Sequence, residues 1–388
     1  MHISKDSKKA TGLKLRVGPH STAQAAPAAR WNMFGYNVHH TNFNPNEITL
    51  GVANVGAITP AWQFTTGAAI HHSAPAVVNG VAYIGSDDNN VYAVNATTGA
   101  EIWHFTTGGA VITSPAVVNG VVYFGSDDGT FYAVKATTGA VIWSRFISAR
   151  GITSSATVVS GVVYFAGGDH NVYALQAATG AVIWSYFTGA GEGVFNSSPA
   201  VVRGVVYILS SDFNLLALHA QTGSLIWSFA TGAAANDSSP SVVNGIVYVG
   251  SLDGNVYALK AKTGAVIWSF NTGNRVGAST SVANGTVYIG SDNFFTQNGP
   301  NDLFALNAQT GALQWSAAAG TNTNTTTAAV ANGVVYLGAG DGNLYAFNAA
   351  TGALLLSTNL GPFIDASPVV VNGTVYIGSG DGNLYALH

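Results

Sequence analysis

Residues 73–105 read SAPAVVNGVAYIGSDDNNVYAVNATTGAEIWHF, and residues 113–145 read TSPAVVNGVVYFGSDDGTFYAVKATTGAVIWSR. The second stretch repeats the first, and six further copies follow. A glycine marks the same place in each: Gly80, Gly120, Gly161, Gly204, Gly245, Gly285, Gly333 and Gly373, every one followed three residues later by a tyrosine, from Tyr83 to Tyr376. Tryptophans keep step at Trp62, Trp103, Trp143, Trp184, Trp227, Trp268 and Trp315, and Leu356 fills the eighth slot. Self-similarity at a period of roughly forty residues is the signature of a repeat architecture, here one small sheet per copy.

Within a copy the apolar residues alternate with period two. In the first copy, strands are predicted over residues 72–79, 81–86, 91–95 and 101–106, joined by Asn79-Gly80, by residues 88–90 and by Thr98-Gly99. No segment shows a helical period, so the chain is all-β. Residues 385–388 form a third strand with no fourth after it, and residues 58–66 around Trp62 form a fourth strand with no first three before it. Pairing them completes the last sheet and hides two edges that would otherwise template aggregation. The predicted fold is an eight-bladed β-propeller of four-stranded antiparallel blades, its ring closed by the N-terminal strand. Residues 1–30 are expected to be a disordered leader and 31–57 an aromatic arm packed along the propeller, which itself spans 58–388.

Charged residues make up 8% of the chain, against roughly 25% in an average domain. Ser, Thr, Asn and Gly supply the surface polarity instead, which suits an extracytoplasmic protein. A net charge of −4 with 13 Lys and Arg leaves no basic stripe for phosphates, so nucleic acid is excluded as a partner. Cysteine is absent, which removes disulfides, thiolate metal sites and a cysteine nucleophile. No apolar run is long enough for a transmembrane segment. The leader has basic residues at Lys5, Lys8, Lys9, Lys14 and Arg16 and a small-residue stretch at 23–28, but too few apolar residues between them for an export signal.

The run Ala93-x-Asn95-x-x-Thr98-Gly99-x-x-x-Trp103 returns at 133–143, 174–184, 217–227, 258–268 and 305–315. It resembles the tryptophan-docking motif of the pyrroloquinoline-quinone (PQQ)-like repeat propellers, over some 330 residues of the chain. The resemblance implies that each indole packs on the Thr-Gly turn of a neighbouring blade and donates its N–H there. Where the family has Asp at the third motif position this chain has Asn95, Lys135, Gln176, His219, Lys260, Asn307, Asn348 and His388, a departure expected to loosen the docking. The stretch from Trp31 to Pro45 also resembles the start of polyvinyl-alcohol-dehydrogenase-like members. WD40 and kelch repeats do not fit, because neither a Gly-His with Trp-Asp nor a double glycine punctuates the copies.

The copies serve as an internal comparison. The Asn-Gly and Thr-Gly turns barely change, so their face is scaffolding, whereas the segments leading into each first strand diverge and mark a functional mouth at the channel. His71 and His72 stand there as a candidate metal or acid/base pair, set on opposite faces if they lie on a strand. The resemblance to PQQ alcohol dehydrogenases implies Asp237 as catalytic base, Glu192 and Asn196 as calcium ligands, and Asn236, Arg150 and Arg275 as quinone-binding groups. The flat groups and the adjacent-cysteine cap of those enzymes are missing. The acidic turns such as Asp87-Asp88 and Asp127-Asp128 read as hairpin chemistry, and Phe294 and Phe295, in the one sizeable insertion, as a contact loop. The first reading is a non-catalytic binding or scaffolding propeller, similar to the β-barrel-assembly lipoprotein propellers. It has no cofactor, and a protein or small-molecule ligand binds at the channel face. The alternative is a PQQ- and Ca2+-dependent alcohol dehydrogenase.

Overall fold

The computed structural model describes residues 30–189, 196–233, 238–291, 302–321, 323 and 326–388. Eight antiparallel units of four strands each are arranged as the blades of a propeller. In blade 1 the strands run Ala76–Val78, Val81–Gly85, Asn90–Asn95 and Glu101–Thr106, from the axis outwards. The innermost strands, three residues each, recur at Ala116–Val118, Thr157–Val159, Ala200–Val202, Ser241–Val243, Ser281–Ala283, Ala329–Ala331 and Val369–Val371. They are shorter than the alternation predicts, because residues 72–75 and their equivalents turn away to line the channel. Blade 8 is completed as expected: Pro60–Thr65 pairs antiparallel with Asn383–Leu387, Trp62 facing Ala386.

Neighbouring blades are clamped by the tryptophans. The indole N–H of Trp103 donates to the carbonyl of Ala136 at 2.9 Å, Trp143 to Ala177 at 2.9 Å, and Trp184 to Ala220 at 2.8 Å. Trp227, Trp268, Trp315 and Trp62 do the same to Ala261, Ala308, Ala349 and Ala96. Each carbonyl also accepts a tyrosine hydroxyl from the same blade as the indole, as Tyr123 with Trp143 at Ala177. The acceptor is a backbone atom one residue beyond the third motif position, so the side chain there is free to vary and the expected loosening does not occur. Asn95 caps its own turn instead, accepting from Thr97 and Thr98. The indole lies flat over the glycine of the Thr-Gly turn, which is why that residue has no side chain: at Gly180 (φ +70°) a Cβ would come within 2.6 Å of Trp143 Cε3.

Leu356 is explained by the seam. Blade 8 joins its third and fourth strands across the two ends of the ring, where His388 and Thr59 exchange backbone hydrogen bonds. No Thr-Gly turn stands there for an indole to dock on. Leu356 packs into the core beside it, and the Tyr336 hydroxyl, whose counterparts share the clamp carbonyl, is buried without a partner.

The innermost strands leave open edges toward the axis, and residues 31–44 close them. Trp31 exchanges both backbone bonds with Val77 of blade 1, and Asn32 accepts from Val117 of blade 2. Val38, His39, Thr41 and Asn42 accept from Val201, Val242, Val282 and Val330 of blades 4 to 7. His40 Nε2 meets Thr157 Oγ1 of blade 3 at 2.9 Å, and Asn44 Nδ2 donates to the carbonyl of Val370 in blade 8 at 2.8 Å. This one segment therefore binds all eight blades and plugs the channel. Glu47 then anchors the chain on blade 8, accepting from the backbone of Thr49, Leu50 and Gly373.

Two outcomes follow from these contacts. Trp143→Phe keeps the ring over Gly180 and leaves Ala177 bonded to Tyr123, so it should cost about 1 kcal/mol. Gly180→Ala forces both a left-handed alanine and a clash, so about 2 kcal/mol or more is expected; denaturant midpoints order the two variants. His40 is fully buried, which holds its pKa down to about 3. The unfolded chain then takes up a proton below its ordinary pKa of about 6.5 that the native chain refuses. Stability should fall as pH drops from that value toward 3, and His40→Gln should flatten the fall in a series of melting curves.

Candidate functional site: the channel cup

Above the plug lies a cavity of about 690 Å3, floored by Phe34 of the arm and walled by serines and threonines from blade after blade. These hydroxyls form a collar. The backbone N–H of Ala74 donates to Ser114 Oγ, Ser114 to Ser155, Ser155 to Ser198, Ser198 to Ser239, Ser239 to Ser279, and Thr327 to Ser367, all between 2.8 and 3.0 Å. Each hydroxyl satisfies the next backbone donor around the ring, which explains why a small polar residue recurs at this position. Such serines are structural; a nucleophile needs a base within reach and a third group to orient it.

The chemistry gathers at the open mouth, on blades 8, 1, 2 and 3. His71 and His72 do not lie on a strand, so the alternation rule does not separate them; His72 has a left-handed backbone (φ 54°). His71 Nδ1 is in close hydrogen-bond contact with Asp87 Oδ2, and its ring stacks on Phe363 at 5.2 Å. His72 lines the cavity, its Nε2 standing 3.9 Å from Asp365 Oδ2. One oxygen of Asp87 and one of Asp365 are buried with no hydrogen-bond partner. Burial pushes the Asp365 carboxyl up, against the pull of His72 and His71. Burial also raises Asp127, and the nearby negative charges of Asp87 and Asp128 add to it.

Arg150, from blade 3, lines the same cavity as Asp127. Its Nη1 lies 2.8 Å from His170 Nε2. A guanidinium only donates, so Nε2 accepts and the ring proton sits on Nδ1, 2.9 Å from Ser211 Oγ. Ser211 therefore faces the N–H side of His170, which offers no lone pair to take its proton, and the two do not form a nucleophile–base pair.

The paired acids of the turns divide into two roles that turn chemistry alone does not separate. The second member is structural: Asp88, Asp128, Asp253, Asp341 and Asp381 each accept the hydroxyl of the tyrosine four residues on. The first member is Asp87, Asp127 and Asp292 in blades 1, 2 and 6, but Gly168, Ser211, Leu252, Gly340 and Gly380 in the other copies. That variation is the signal that finds the mouth acids; His170 has no such signal. Of the residues implied by the dehydrogenase resemblance, Arg150 and Asn196 line the cavity and Arg275 does not. Glu192, Asn236 and Asp237 lie outside the described residues, as do Phe294 and Phe295 and the leader apart from Arg30. Among the described residues no group of three His, Asp or Glu is placed to hold a metal ion.

Asp127→Asn should raise the melting temperature at neutral pH, because the native state disfavours the ionised carboxyl. The raised pKa makes that cost vanish once both states are protonated. Wild type and variant should therefore melt alike below the ordinary carboxylate range, in paired thermal scans.

Solved structures of similar fold include the quinohemoprotein alcohol dehydrogenase of Comamonas testosteroni, 18% identical over 94% of this chain and 81% of that one, with a TM-score of 0.80. A europium-containing methanol dehydrogenase is 16% identical over 92% and 98%, with a TM-score of 0.78. BamB from Moraxella catarrhalis is 19% identical over 86% and 100%, with a TM-score of 0.69. At such identities the likeness is one of fold. No curated protein matches the sequence. A family model described as outer membrane protein assembly factor BamB matches residues 54–210, 187–328 and 305–388. The chain belongs to this family of PQQ-like repeat propellers.

Proposed function

We propose that this protein is a non-catalytic binding propeller whose cup receives a positively charged group, carried by a ligand or by a segment of a protein partner. The observation that carries the reading is the mouth itself. Asp127 lines the cup with Asp87 near enough to raise it, and Asp365 stands beside the cavity-lining His72; these carboxyl groups are unsatisfied or disfavoured, and an incoming cation relieves both conditions. Arg150, the one arginine of the cavity wall among the described residues, is already held on His170.

The described donors fit a quinone poorly. PQQ carries carboxylates, which would be set against the carboxyl groups of the mouth. The family's description as an outer membrane assembly factor supports a protein partner and a place outside the cytoplasm. Among the described residues no helix is long and apolar enough to cross a membrane.

Calorimetric titration with tri-lysine at low salt tests the proposal. Binding is expected, and a double Asp127→Asn, Asp365→Asn variant should lose about tenfold in affinity, or ~1.4 kcal/mol. Affinity should also decline as pH falls through the raised pKa values of those two carboxyls, because a protonated acid no longer attracts the ammonium. Tight binding of PQQ with calcium, with dye reduction by primary alcohols that Asp237→Ala or Glu192→Ala abolishes, would overturn it.

A further inference from the structure

The opposite face, that of the Asn-Gly turns, holds a second cavity of about 450 Å3 between blades 4 and 5. Val202, Ile226 and Val242 supply apolar wall, while Arg203 and Lys262 bring two cations to the same cavity, with His39 of the arm beside them. Burial holds the His39 pKa down, a backbone hydrogen bond with Val242 opposes this, and the Arg203 charge adds to the fall.

The repeats show how unusual both cations are. At the first turn position six copies have Asn, one has Ser160, and blade 4 has Arg203. All eight backbones there are left-handed, Arg203 at φ 51°, a conformation that Asn tolerates and Arg does not favour. Just before the Thr-Gly turn stand Thr97, Thr137, Ala178, Gln221, Gln309 and Ala350, and only blade 5 has a cation, Lys262. Residues 31–388 contain seven Lys and Arg against sixteen Asp and Glu. Two of the seven converge on one cleft of an acidic propeller, one of them in a strained conformation. Among the described residues neither has a carboxylate partner. Strain kept where a relaxed residue is available marks a function.

We propose that this cleft binds a small amphipathic carboxylate, its head on Arg203 and Lys262 and its alkyl body along the valines and Ile226. A carboxylate matches the guanidinium fork, and the cavity is within the usual range for small ligands. The chain's own basic leader carries the wrong sign to fill it. The site is separate from the channel cup and does not depend on what the cup binds.

The probe is decanoate, kept below its micelle concentration and followed by calorimetry, with decanol as the uncharged control. Arg203→Asn and Lys262→Thr install residues that other copies already use at these positions, so the fold should be retained. Decanoate should bind more tightly than decanol and lose affinity with rising salt. Each substitution should weaken it about fivefold to tenfold, and the pair should remove measurable binding while tri-lysine binding at the cup is unchanged. Arg203→Asn should also raise the melting temperature by about a degree, since it relieves the left-handed arginine. No binding of decanoate, or binding indifferent to both substitutions, overturns the proposal. An acidic peptide that binds where decanoate does not overturns it in favour of a protein partner.

Discussion

The indole laid over a Thr-Gly turn is the contact on which the ring depends. A four-stranded blade of this size cannot bury both of its faces alone, so its stability resides in what neighbouring blades share. The tryptophan contributes to that shared surface on the order of 3 kcal/mol of apolar burial per large side chain, and its N–H is bonded to the neighbouring blade. Because the acceptor is a backbone carbonyl, the geometry is indifferent to the neighbouring side chain. Lysine, glutamine, histidine and asparagine all occupy the third motif position while the clamp distance hardly moves from Trp103 to Trp315. The clamp fails only at the seam, where there is no turn to receive it and Leu356 has taken the indole's place.

A ring of blades creates a second demand at its centre. Eight short strands present backbone N–H groups to the axis, and buried donors need acceptors. The arm answers with a run of carbonyls from Trp31 to Asn42, and higher up the serine collar answers with hydroxyls. The two devices convert an open channel into a cup with one mouth. Polar groups in the collar are consumed by this architecture, and among the described residues the loops of blades 8, 1, 2 and 3 bring titratable side chains to the mouth.

Fold and function separate cleanly in this molecule. The same ring is shared with alcohol dehydrogenases and with BamB at under 20% identity, so what distinguishes this chain is the charge placed on the ring. The channel face gathers Asp87, Asp127 and Asp365 around two histidines, and the opposite face brings Arg203 and Lys262 together in an otherwise acidic propeller.

The repeat carried the architecture openly: blade number, strand order within a blade and ring closure by the segment around Trp62 all follow from a period of roughly forty residues and the alternation within it. The docking role of the tryptophans came from the resemblance of their motif to a known one. What the repeat could not carry is anything that depends on residues distant in the chain meeting at the axis. The arm's path across eight blades has no periodic signal, because each of its residues meets a different copy. The pairing of His71 with Asp87 and of Arg150 with His170, and the shift of Asp127 by its neighbours, arise from burial and from charges brought close by closure of the ring. Local patterning specifies a blade; only the assembled circle decides which side chains share a cavity, since that is set by curvature and not by spacing along the chain.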